Sequence, residues 1–173
     1  MGVTTSTANA GSTMVPIATY TATTTQSQVT FNSIPQTYTG LRLVASVNDS
    51  NYYEMLRFNN DTSGSTLYSR TILSGDGSTA SSSRSSNANA WYFGSEVNTS
   101  TYAFNSVDIM NYSSSSIYKS GIVHQESVTY PYVGLISYLY RSTSPITRID
   151  IYAPTTNSIA IGNTYTLYGI KAA

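Results

Sequence analysis

The sequence predicts an all-β protein: a single antiparallel β-sandwich, jelly-roll-like, with a flexible N-terminal arm. Three observations lead there. Short runs alternate apolar with polar residues, the period of a strand with one buried face. Clusters of Ser, Asn, Gly and Asp separate those runs at intervals of about 8–15 residues, the spacing of sandwiches and barrels. The composition agrees. Ser and Thr make up about three residues in ten, and Tyr contributes 16 of 173. Thr and Tyr suit pleated, half-buried surfaces, and Ser and Asn suit turns. The usual helix formers do not dominate, and no internal repeat is evident.

The arm is expected over residues 1–15, where Thr, Ser, Ala and Gly offer little apolar surface to offset the entropy of ordering. The sandwich domain is expected over 16–173. Pro16–Thr21 reads as a first edge strand, because proline is tolerated at a strand's first residue. Gln28–Val47 reads as strand, turn, strand. Val29 and Phe31, then Leu41, Leu43, Ala45 and Val47, alternate with polar residues, and Pro35 ends the first strand near Ile34.

After an Asn48–Asn51 turn, Tyr53–Asn59 is a strand with Tyr53, Met55 and Arg57 on one face and Leu56 and Phe58 on the other. Asn59–Ser65 has strong turn chemistry, and Leu67–Leu73 is a strand. Ser74–Ala88 carries almost no apolar side chain and reads as a long surface loop, of the kind that is either functional or mobile. Trp91, the single tryptophan, is expected to fill the core beneath it.

Tyr102–Met110 and Ile117–Val123 are further strands. Val133–Tyr140 sets Val133, Leu135, Ser137 and Leu139 against Ile136, Tyr138 and Tyr140. Ile146–Tyr152, a short Ile159–Ile161 strand and Tyr165–Ile170 close the chain, for roughly ten strands in all.

Charge narrows the function. Only 9% of residues are charged and the formal net charge is zero, without the basic face that nucleic-acid binding needs. No stretch approaches the ~20 apolar residues of a helical membrane span. The first twenty residues lack a basic region and an apolar core, so no signal peptide is expected. Gly2 has no basic cluster to support a lipid anchor. Without cysteine there is no disulfide and no thiolate metal site, and synthesis in a cytoplasm is expected.

Catalytic and metal chemistry finds little footing. His124 is the only histidine, and no G-x-S-x-G elbow accompanies it. It cannot supply a His/Cys zinc site by itself. The carboxylates are Asp49, Glu54, Asp61, Asp76, Glu96, Asp108, Glu126 and Asp150, and nothing in their spacing pairs two across a glycosidase cleft. Asp76-Gly77 has the chemistry of a calcium loop without EF-hand spacing, and an Asx-turn is the plainer reading. Asn-x-Ser/Thr triplets at Asn48, Asn60, Asn98 and Asn111 would matter only in a secretory pathway. The tyrosines are read first as strand formers with a wet end, and second as a sugar-stacking platform or interface anchor. No catalytic, cofactor-binding or metal residue is therefore expected.

Several segments carry a resemblance. Phe31-Asn-Ser-Ile-Pro-Gln-Thr-Tyr-Thr-Gly-Leu-Arg-Leu43 resembles the opening of a β-domain common in tailed-phage virion proteins. Leu56–Asp61 resembles its LRFNGD segment, and Leu73–Gly77 the loop after it. Tyr118-Lys119-Ser120 falls at a similar triplet, and Ile146–Ile149 resembles its penultimate strand. Thr164–Ile170 resembles its closing STFSLYGI. The similarity covers residues 28–170. Ile161-Gly162-Asn163 departs from it, standing where the family more often has an aromatic followed by small residues.

The resemblance implies a virion structural protein without catalytic residues. A nearly solitary domain with a short arm implies a capsid decoration, or cement, protein on the capsid exterior. Its expected partner is the major capsid protein, and its expected state a homotrimer about a local threefold. The other expectation is a tail-fibre or receptor-binding module that recognises a host glycan through Tyr-rich faces and the 74–88 segment.

Overall fold

A computed structural model describes residues 13–48, 53–62, 66–93, 102–127, 132–154 and 158–171, and all that follows concerns those residues. They form twelve strands and no helix. The strands are β1 (Met14–Thr21), β2 (Gln28–Phe31), β3 (Gly40–Val47), β4 (Met55–Phe58), β5 (Tyr68–Gly75) and β6 (Ala80–Ala88), then β7 (Trp91–Tyr92), β8 (Ala103–Met110), β9 (Lys119–Ser127), β10 (Tyr132–Tyr140), β11 (Ile149–Tyr152) and β12 (Thr164–Ile170).

An eight-stranded antiparallel sheet runs β1-β12-β3-β8-β9-β10-β5-β6, and a four-stranded one runs β2-β11-β4-β7. Setting aside β1, β12 and the β9–β10 hairpin leaves two four-strand sets, β2-β11-β4-β7 and β3-β8-β5-β6. The chain alternates between them as a jelly roll does. The additions widen one sheet to twice the other.

Alternation fixes the core. Val29 and Phe31 of β2, Leu56 and Phe58 of β4 and Ile149 and Ile151 of β11 face Leu41, Leu43, Val107, Ile109, Val123, Ile136 and Leu167 of the larger sheet. All are buried. Trp91 is fully buried as expected, edge-on to Phe58 at 4.7 Å between ring centroids and stacked on Tyr138 at 4.9 Å.

Segments that carried the resemblance meet in space. Tyr38 lies against Gly169, where an added Cβ would come within 2.3 Å of its ring, and both the amide and the hydroxyl of Thr39 donate to the Ile170 carbonyl at 2.8 Å. Asn59 takes a positive φ of 54°. It donates Nδ2–H to the Pro145 carbonyl, and its Oδ1 accepts from the amides of Thr147 and Arg148. These residues hold distant segments together, which is structural work.

Three expectations need correcting. The Ser74–Ala88 loop is a hairpin: β6 pairs with β5 along its length, and only the residues around Asp76–Thr79 turn. Hydroxyl and amide side chains on both faces of β6 hide the strand from a hydrophobic-pattern reading. Its ladder needs only backbone groups, and it forms a solvent-facing sheet edge. Met14 and Val15 belong to β1 and not to an arm, and residues 1–12 lie outside the described part. The Ile159–Ile161 strand is a single bridge, Gln26 to Ile159. Ile161 is exposed, and Asn163 is the residue that enters the core.

Candidate interaction surface

The outer face of the larger sheet departs most from an ordinary surface. Strand parity points Leu73 of β5, Val133 and Leu135 of β10, Ile122 of β9, and Phe104 and Met110 of β8 away from the core. All six are exposed, Val133 by 64% and Phe104 by 58%. Register interleaves them with polar residues. Leu73 lies opposite Leu135, which lies opposite His124, which lies opposite Ser106. Ile122 stands in the next row, between Ser137 and Asp108. These exposed apolar side chains, interleaved with Ser106, Asp108, His124 and Glu126, make this face the candidate interaction surface.

Polar groups fix the face on the β3 side. Arg42 and Asp108, cross-strand partners, form a two-pronged pair with Nε–Oδ1 at 2.7 Å and Nη2–Oδ2 at 2.6 Å. This pairing raises the Arg42 pKa above its ordinary value. Val44, Phe104, His124, Glu126 and Val133 line a shallow depression of about 470 Å³ beside Arg42. His124 is thus an exposed residue on a face that mixes apolar and polar side chains.

Glu54, Asp61, Asp76 and Asp150 have structural partners, whereas Glu126 lies exposed on the outer face. Glu54 is buried against the Tyr165 hydroxyl and the Asn163 amide. Asp61 accepts from the Tyr140 hydroxyl at 3.1 Å. Asp150, also buried, accepts from Gln28, Thr30 and Arg148. Asp76 accepts at Oδ1 from the amides of Ser78 (2.9 Å) and Thr79 (2.6 Å), and these bonds lower its pKa. That is an Asx-turn closing the β5–β6 hairpin, with Gly77 at φ 86° supplying the tight bend. No group of three metal-ligating side chains occurs among the described residues. Asp49, Glu96 and Asn98 lie outside them. Asn60 and Asn111 take positive φ in turns, and the Asn48 amide donates to Asn163 Oδ1.

Five tyrosines, 68, 112, 138, 140 and 165, are buried strand or turn residues. Their hydroxyls are used internally. Tyr138 both accepts from and donates to the Tyr92 backbone, at 2.7 and 2.9 Å, Tyr112 donates to the Pro35 carbonyl, and Tyr68 accepts from the Phe58 amide. Burial raises the phenol pKa of Tyr68 and Tyr138, and pushes that of Tyr140 up to about 12. Lys119, named above only for its place in a triplet, is fully buried, which the sequence reading did not suggest. Its Nζ donates to the carbonyls of Ser114, Ile117, Ser142 and Thr143 at 2.7–3.1 Å, and desolvation lowers its pKa. Strand parity with Gly121 and Val123 is the signal that could have placed it inside.

No protein-family model, curated protein or solved structure matches this chain.

Proposed function

We propose that this chain is a non-enzymatic structural protein of a tailed-phage virion, a decoration protein that lays the outer face of its larger sheet on the assembled capsid. The observation that carries the reading is the exposed apolar face of Leu73, Phe104, Ile122, Val133 and Leu135 on a chain with little charge. The segment resemblance supplies the virion context. The partner in this reading is the major capsid protein, with three copies grouped about a local threefold. Binding the assembled lattice better than free subunits stabilises the shell by mass action.

The test is the copy number of this chain in purified virions, measured against the major capsid protein by quantitative mass spectrometry. A copy number comparable to the capsid subunit supports the shell role. A few copies per particle moves the protein to the tail, and absence from particles ends the virion reading. Leu135→Asp with Val133→Asp then assigns the face: the folded variant is expected to fail to load onto shells that the wild type decorates.

A further inference from the structure

The cations of this neutral protein are unevenly placed. Arg42 is held by Asp108, Arg148 by Asp150, and Lys119 by four carbonyls in the interior. Four of the other cations, Arg57, Arg70, Arg84 and Arg141, gather along two adjoining clefts of about 380 and 200 Å³ that share Arg70 and Ser85. Among the described residues none of these four forms an ion pair with a carboxylate. The larger cleft lies between the outer face of the smaller sheet and the β5–β6 hairpin.

Arg141 donates to the Thr66 and Ser86 carbonyls, and Arg57 and Arg70 are set in place over tyrosine rings. The Arg57 guanidinium lies 4.4 Å over the Tyr152 ring, and its Nη2 donates to the Tyr152 hydroxyl at 3.1 Å. Its Nε–H is buried and has no acceptor, a costly state for a cationic donor. Arg70 lies 3.7 Å over the Tyr92 ring, which also stacks on Tyr53 with centroids 5.5 Å apart. Stacking restrains both guanidinium planes, so an N–H edge that no protein group takes meets an anion's oxygens with little further loss of freedom. In Arg57 the edge formed by Nε and Nη2 is already occupied by burial and Tyr152.

We propose that this cleft binds the carboxylate of an acidic saccharide, gripped by Arg57 and Arg70. The rest of the lining selects the class. Ser85, Asn87 and Asn89 offer groups that both donate and accept, a match for sugar hydroxyls, and apart from the Tyr92 and Tyr152 rings apolar contact is limited to Met55 and two alanines. The volume falls at the low end of the roughly 300–1,000 Å³ of small-ligand clefts. A peptide needs apolar anchor pockets that this lining lacks. A nucleic acid needs open aromatic faces for its bases, whereas Tyr92 and Tyr152 spend ring faces on arginine. The inference is independent of the virion reading. The two outer faces of the sandwich point in opposite directions, so docking the larger sheet leaves the smaller sheet's face open.

The experiment titrates the full chain with a galacturonate oligosaccharide, followed by calorimetry and by amide and tyrosine-ring NMR shifts at low ionic strength. The methyl-esterified oligosaccharide and a short single-stranded DNA are the other ligands. The proposal expects uronate binding with shifts at Tyr92 and Asn87, and little or none with the ester. Affinity should fall about tenfold or more in Arg57→Gln and in Arg70→Gln. It should also weaken in Arg70→Lys, which keeps the charge and loses the fork, and hold in Lys171→Gln, which removes the same charge elsewhere. Failure of uronate to bind, equal binding of the ester, tighter binding of DNA, or wild-type affinity in Arg70→Lys would each overturn it. The shifts in the unsubstituted chain decide the site even if Arg57→Gln fails to fold.

Discussion

Gly121→Ala is expected to destabilise the fold through one contact. Gly121 faces inward in β9, opposite Ile109, and an added Cβ would lie 2.6 Å from Trp91 Cζ3 and 2.7 Å from the Asp108 carbonyl oxygen. Optimal carbon separations are about 3.5–4.0 Å, so the indole would have to recede by about 0.9 Å or more. It has nowhere to go: Phe58 stands edge-on to it and Tyr138 is stacked on it. The carbonyl belongs to the neighbouring strand and cannot rotate away. Overpacking of this kind costs about 1–3 kcal/mol, offset by about 0.4–1 kcal/mol from the stiffer unfolded chain. The net loss should be about 1–2 kcal/mol, or roughly 2–8 °C in Tm for a domain of this size. Urea unfolding followed by far-UV circular dichroism measures it. Trp91→Phe shortens the ring on the clashing side, so the double variant should lose less stability than the sum of the two single changes. Wild-type stability in Gly121→Ala, or strict additivity in the double variant, would refute the packing argument.

Other outcomes follow from the same geometry. Asn59→Ala should cost about 2–4 kcal/mol in urea unfolding, since it strands the Thr147 and Arg148 amides and puts a Cβ residue without local bonding at positive φ. The Asp76 carboxyl should titrate below the ordinary aspartate range by NMR. Its depressed folded pKa means that its support for the turn is present at neutral pH and lost as pH falls through that value, seen as faster amide exchange at Ser78 and Thr79. The buried phenols act in the opposite direction. Tyr140 has a folded pKa raised to about 12 over an unfolded value of about 10, so its contribution is whole below pH 10 and disappears as pH rises to 12. Absorbance at the phenolate band should then show Tyr68, Tyr138 and Tyr140 ionising together with alkaline unfolding. On decorated particles, retention should resist added salt, because the chain carries little charge and the proposed face offers exposed apolar side chains. Release by moderate salt would contradict that face.

The legible parts of the fold were those where one face is apolar. Leu41, Leu43, Ala45 and Val47 announce β3, and Ile136, Tyr138 and Tyr140 announce the strand β10 but not which of its sides is buried. β6 was opaque because hydroxyls on both faces leave no period to read, while its ladder is made by the backbone. The exposed sheet face was half legible. Alternation gave the row Val133, Leu135, Ser137 and Leu139, but not that it faces solvent beside Leu73 and Phe104, which only the strand order decides. In the same way parity put Arg57 on the face opposite Leu56 and Phe58. Its approach to the cleft that holds Arg70 depends on β7 and the β5–β6 hairpin meeting, a tertiary fact with no local signature.

The lock between Tyr38-Thr39 and Gly169-Ile170 also sets a timetable. β3 is flanked by β8 and by β12, the latter more than a hundred residues further along the chain. At translation rates of about 5–20 residues per second, β3 waits roughly 6–25 s after its own synthesis for that neighbour. Throughout that interval an alternating apolar strand presents an unpaired edge, and the sheet cannot close from local hairpins alone. This chain therefore spends its greatest risk of misassociation while being made, and slowing the synthesis of β12 should cost soluble yield even with every native contact intact.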